Sequence, residues 1–181
     1  MNFKACLVGC AATVLVGAGV AVIADDVTTQ PSTTQPTLND EAREKRADNL
    51  RQIGQLIITY VVNNNGQLPP NLAAAARTAR DYHVALFVCS SSGSTIPADW
   101  GSMSADQKEQ WINSKSDYVY LGREMRINQI PHAPQTVLVH ERGDNPHQDM
   151  MNLLFLDLHV ESRDLVDTHR LIEASKAAFE K

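Results

Sequence analysis

The sequence predicts an α+β fold: a long N-terminal helix and a second helix packed on a small antiparallel sheet, closed by a C-terminal helix. Three observations predict it. Leu50, Ile53, Ile57, Tyr60 and Val61 recur at three- and four-residue steps, the period of one helix face. Beyond residue 115 the pattern changes to short segments rich in β-branched, aromatic and leucine residues: SDYVYLG (116–122), QTVLVHE (135–141) and NLLFLD (152–157). The chain then closes on DLVDTHRLIEASKAAFEK (164–181). There Leu165, Leu171, Ile172, Ala178 and Phe179 share a face, with Thr168 and Ser175 as small polar members. Helices first and strands later is the order of an α+β domain.

The first helix has a start and a stop. Asn39 or Asp40 caps it, and the acidic Asp40 and Glu41 suit its positive end. Gly54 sits beside the apolar face at a cost of about 1 kcal/mol of helix propensity, which suggests close approach of another element. NNNG (63–66) ends the helix, and Pro69-Pro70 prevents its immediate resumption. A second helix is expected over 71–82, capped by Asn71 and carrying four consecutive alanines. Residues 90–104, dense in Ser, Gly and Pro, form a loop, and 104–111 a short helix capped by Ser104. HVESRD (159–164) adds a fourth strand. Trp100 and Trp111 flank a polar region and read as core packing or a lid over the sheet.

What precedes residue 39 reads differently. One charge, Lys4, leads into an uncharged apolar run from Ala5 to Ala24, closing on Val22-Ile23-Ala24. This is the pattern of an export signal cut before Asp25. The run is also about long enough to span a bilayer, so an uncleaved inner-membrane anchor competes, since roughly 20 residues suffice. Leu7-Val8-Gly9-Cys10 looks like a lipoprotein box. Residues 25–38 are rich in Thr, Gln and Pro and read as a disordered linker, leaving 39–181 as the domain. With Cys6 and Cys10 in the export segment, Cys89 remains alone, and its apolar neighbours mark it as a structural thiol. A formal net charge of −5 with no Lys/Arg run argues against nucleic acid as a partner.

Four stretches carry a resemblance. NLRQIGQLIITYVVNNNGQLPPNL (49–72), FVCSSSG (87–93), DYVYLG (117–122) and TVLVHERGDNPHQDMMNLLFLDLHVESRD (136–164) are similar, in that order, to segments of bacterial type II secretion major-pseudopilin-like proteins. His147 and Asp157 also have the spacing of the related H-x9-DG group. Together these cover roughly residues 45–168. The resemblance implies a pseudopilin-like domain and a non-enzymatic exported module, periplasmic or extracellular, with protein partners in the cell envelope. It implies a structural motif of His147, Asp157 and His159. The chain lacks the prepilin cleavage motif, and a linker parts its apolar segment from the domain, so fibre assembly by the usual route is not expected. It also carries Leu158 where the family has Gly. A two-residue hairpin centred on Asp157-Leu158 would require φ > 0 at both positions, which costs Leu roughly 1–2 kcal/mol. Either the hairpin survives with strain or the turn has changed type.

The alternative is a metal-binding envelope protein or a hydrolase centred on residues 140–161. Glu141, Asp144, Asn145, His147, Asp149, Asp157 and His159 are the candidate ligands. His147-x-Asp149 and Asp157-x-His159 are close pairs of the kind zinc uses, and His140 lies upstream. The oxygen donors of 141–149 suit Ca2+, which the major pseudopilins bind in a loop of this region. There is no HExxH, CxxC, GxSxG or phosphate-cradling glycine loop. Cys89 and His83 are near in sequence and form a candidate nucleophile–base pair, without the flanking motifs of cysteine proteases. No catalytic residue and no other cofactor is assigned.

Overall fold

Helix α1 (Leu38–Asn63) buries Ala47, Leu50, Ile53, Ile57 and Val61 along one stripe, while Tyr60 lies half-buried at its margin. The helix begins ahead of the expected caps, so Asp40 and Glu41 occupy its first turn, favourable for carboxylates. Asn65 (φ 53°) and Gly66 (φ 80°) reverse the chain at its end, and Gly66 N–H donates to Val61 O at 2.9 Å. The structure, a computed structural model, describes residues 38–89, 92–143 and 149–180, all within the compact unit Gln35–Lys181. The export segment and the linker up to residue 37 lie outside the described residues. So do Asp144, Asn145 and His147. No helix among the described residues is long and apolar enough to cross a membrane.

The second helix is shorter than expected. α2 spans only Leu72–Ala76, with Asn71 Oδ1 accepting from Ala74 N–H at 2.9 Å. Ala73, Ala75 and Ala76 are buried in the core shared with α1. A 3-10 segment, Arg80–Phe87, replaces the rest, with Asp81, Tyr82 and His83 all left-handed (φ 53°, 59° and 45°). Tertiary contacts hold this reversal. Tyr82 meets the Trp100 ring edge-on at 6.2 Å, and Lys108 Nζ bonds Asp81 at 3.2 Å while lying 5.3 Å over Trp100. The turn delivers Leu86 and Phe87 to the core. Trp100 and Trp111 meet edge-on at 5.6 Å, so Trp100 is a core residue. α3 (Ala105–Lys115) runs four residues beyond the expected end and starts on a reciprocal capping box between Ser104 and Gln107.

All four expected strands form: β1 (Tyr118–Tyr120), β2 (Val137–Glu141), β3 (Met150–Phe155) and β4 (Val160–Asp164). They make one antiparallel sheet in the order β1-β2-β3-β4. α1 packs on one side of it and α4 (Leu165–Phe179) on the other. A bulge between Val137 and Val139 decides which β2 side chains face which helix. Val137, paired with Phe155, joins Met151, Leu153 and Ile172 beneath α4. Leu138 and Val139 join the α1 core, and Glu141 follows Val139 onto that side. On α4 the small polar residues take the centre of the buried face. Thr168, Ile172, Ser175 and Phe179 are buried, whereas Leu165 is exposed. Ser175 Oγ accepts from Val137 N–H at 2.8 Å beside the bulge and donates to Leu171 O at 2.7 Å. That contact draws the Ser175 side of the helix onto the sheet.

The β3–β4 turn has changed type. Phe155 N–H donates to His159 O at 3.0 Å, and Leu158 N–H donates to Phe155 O at 2.9 Å. The loop therefore holds three residues, Leu156 to Leu158, rather than two. Leu158 alone is left-handed, at φ 73°. This is the position a three-residue hairpin reserves for glycine. Leu158→Gly removes about 1–2 kcal/mol of backbone strain and gives up a half-buried side chain worth a similar amount. Stability in urea is expected to stay within about 1 kcal/mol of the parent, given that cancellation. A loss of several kcal/mol would mean that Leu158 is a core residue.

Candidate functional site

Two of the candidate ligands, Asp157 and His159, fall in the β3–β4 hairpin. Asp157, His159, Glu161 and Arg163 alternate along the chain, so they fall on one side of the edge strand. His159 lies flat on Phe155, ring centroids 4.3 Å apart and planes 5° from parallel. Its Nδ1 stands 2.5 Å from Asp157 Oδ1, and its backbone N–H donates to the same oxygen at 3.3 Å. Its Nε2 lies 3.6 Å from Glu161 Oε1, and Arg163 Nε donates to Glu161 Oε2 at 2.7 Å. The four side chains thus form a chain of alternating acidic and basic groups. Desolvation pushes the Asp157 carboxyl up, but the hydrogen bonds from His159 and its charge together outweigh it and hold Asp157 below its usual range. Among the described residues no serine or cysteine bonds the His159 ring, so it has no nucleophile to activate.

Glu141 has a different fate. Its carboxylate is buried between the sheet and α1, where Arg46 Nε donates to Oε1 at 3.0 Å. Asn152 Nδ2 donates to Oε1 at 2.7 Å, and Asn152 N–H to Oε2 at 3.3 Å. Asn152 also reaches Arg43 O at 3.0 Å and accepts from Ser162 Oγ. Burial pushes the Glu141 carboxyl up, against Arg46 and Asn152, which pull it down. Arg46, Asn152 and Ser162 escaped the sequence reading. The signal that could have found them is the pairing of a charged strand residue, Glu141, with an arginine in the apolar stripe of α1.

His140 lies on the opposite side of the sheet from Glu141, half-buried and paired across from Leu153. Its Nδ1 sits 2.6 Å from Glu141 O; a carbonyl only accepts, so Nδ1 carries the proton. Desolvation lowers its pKa; the carbonyl bond opposes this, and the charges of Lys176, Arg142 and His169 add to the lowering. A group depressed in the folded state adds stability that is full above its unfolded pKa, about 6.5, and is lost as pH falls through the folded value. Unfolding free energy is therefore expected to drop between pH 7.5 and 5, and His140→Phe should flatten that slope. An unchanged slope in paired urea titrations would remove His140 as its source.

The loop around Cys89 is organised by Asp117. Its carboxylate accepts from Cys89 N–H at 2.5 Å, Ser92 Oγ at 2.8 Å and Ser94 Oγ at 2.6 Å. Cys89 is buried whereas His83 is exposed in the left-handed turn, so the two lie in different environments. Asp149 is exposed at the start of β3. Among the described residues no three His, Cys, Asp or Glu side chains form a group that could hold a metal ion. The place of His147, and with it the contact to Asp157, lies outside the described residues. Compared with known proteins, the chain matches no family model, no curated protein and no solved structure.

Proposed function

We propose that this chain is a non-enzymatic, exported module of the cell envelope, periplasmic or extracellular, with a pseudopilin-like globular domain that works by contact with other proteins. One observation supports it above others: among the described ionisable side chains of 140–161, His140, Glu141, Asp157 and His159 are tied into internal hydrogen bonds, while Asp149 is exposed at the start of β3. Asp157 holds His159, Glu141 holds Arg46 and Asn152, and His140 holds a carbonyl. Such groups position backbone and helix; they present no open set of ligands or reacting atoms. A long helix across an antiparallel sheet with β1 and β4 as its edge strands suits a contact module.

Cell fractionation with N-terminal sequencing of the mature chain tests the export reading. A start at Asp25 in the soluble envelope fraction supports it, retention of Ala5–Ala24 in the membrane means an anchor, and a cytoplasmic chain overturns it. Elemental analysis before and after a chelator, with melting temperature in parallel, tests the rest. One equivalent of metal with a melting temperature lowered by 10 °C or more on chelation would move the function to a metal site within 141–161. Neither metal nor shift is expected.

A further inference from the structure

A cleft of about 400 Å³ opens between the segment entering α2, the end of α3 and the outer edge of β1. Leu72, Ile112 and Tyr118 are buried and give it apolar walls. Its polar lining includes Asn71, Asn113 and Arg142, and among the described residues no Asp or Glu lines it.

These three residues are held by one end and have donors to spare. Arg142 is half-buried, and its Nε donates to Ser116 O at 3.0 Å. Both Nη groups are left over, and among the described residues no carboxylate pairs with them. Asn113 Oδ1 accepts from Ala73 N–H at 3.0 Å, and Asn71 Oδ1 from Ala74 N–H at 2.9 Å. Those bonds settle which end of each amide is oxygen, so each Nδ2 remains a donor without a partner among the described residues. A half-buried guanidinium lining the same cleft as two amide donors, with no described acid in that lining, is complementary to a carboxylate, which takes paired bonds from arginine.

The strand bordering the cleft narrows the choice. Leu121 N–H donates to Leu138 O, so in this antiparallel register residues 119 and 121 bond to β2. Tyr118 and Tyr120 then direct their backbone groups outward. Those of Tyr118 are taken by Ser116 Oγ, at 3.0 and 2.8 Å, and those of Tyr120 have no partner among the described residues. An outward N–H and C=O beside a carboxylate-binding group is what an extended peptide needs. We propose that this cleft binds the C-terminal carboxylate of an extended peptide, the carboxylate on Arg142, Asn71 and Asn113 and the preceding peptide unit on the edge at Tyr120. This chemistry depends neither on export nor on pseudopilin likeness.

The test is calorimetric titration of the full-length chain with N-acetyl-trialanine, its C-terminal amide, and sodium acetate, at matched ionic strength. The peptide acid is expected to saturate and to bind at least tenfold tighter than either the amide or acetate. Arg142→Gln should weaken it at least tenfold. Asn71→Asp and Asn113→Asp keep the oxygen that bonds the backbone and add a negative charge to the cleft. They should weaken the acid at least tenfold with little change in melting temperature, which separates lost binding from lost folding. Failure of the acid to saturate, equal binding of acid and amide, or indifference to the two Asn→Asp changes would overturn the proposal. Acetate binding as tightly as the peptide acid would overturn the peptide as occupant.

Discussion

Arg46→Ala is expected to cost about 3–5 kcal/mol, the usual penalty for removing one partner of a buried ion pair. Arg46 and Glu141 are nearly inaccessible, with side chains 8% and 4% exposed. Truncating the arginine leaves a carboxylate in the core with Asn152 as its remaining partner among the described residues. Glu141→Ala should cost a similar amount, because it removes the buried acceptor that Arg46 and Asn152 share. Glu141→Gln should be milder, since its amide oxygen still accepts from both. The sign of the Glu141 shift agrees with that ranking. Its carboxyl is raised mainly by burial, so its contribution is most favourable below its unfolded pKa and is lost as pH rises through the folded value. At neutral pH the ionised carboxylate is thus held at some expense, and its partners only partly offset it. Guanidinium unfolding of the three variants at pH 7 checks the order. Equal losses for Glu141→Ala and Glu141→Gln would show that charge, not hydrogen bonding, dominates the site.

Gly54→Leu is expected to cost about 3 kcal/mol by overpacking, and Gly54→Ala to be neutral or to stabilise by up to about 1 kcal/mol. Gly54 lies where α1 crosses β3 and the hairpin. A Cβ there would meet Leu154 Cδ1 at 3.4 Å, Leu154 Cδ2 at 3.5 Å and Leu158 Cδ2 at 3.6 Å. These are ordinary contact distances to the ends of flexible side chains. One methyl fits and recovers the helix propensity lost to glycine; four carbons do not, and lift the helix from the sheet. Urea denaturation of both variants measures this. A loss of 2 kcal/mol or more for Gly54→Ala would show that the interface tolerates nothing beyond glycine.

The close approach at Gly54 was legible because a glycine in an apolar helical stripe has few other uses. So were the four strands, whose apolar runs are bounded by turn residues, and the Ser104 start of α3. The end of α2 was not. Four alanines carry good helix propensity and give no local stop signal, and the reversal at Asp81–His83 depends on Trp100 and Lys108, distant in sequence. The hairpin was legible as a hairpin, with Leu158 marked as its strained residue, but not in its loop length. That is set by which pair of Phe155 and His159 closes the ladder.

The candidate site divides along the same line. In the sequence the ionisable residues of 140–161 could converge if their strands pair; in the structure His140 and Glu141 face opposite sides of the sheet. Alternation could not say which way each points. A regular β2 would put Val137, Val139 and Glu141 on one face. The bulge between Val137 and Val139 adds a residue, sends Val137 towards α4 and brings Glu141 to Arg46. By itself the sequence determined the class of fold, the order of its elements and the chemistry available, since these follow from local periodicity and residue type. Only the tertiary structure decided which polar groups meet. A one-residue shift in a strand reverses its faces at almost no local cost, and the choice is made by what the two covering helices bury.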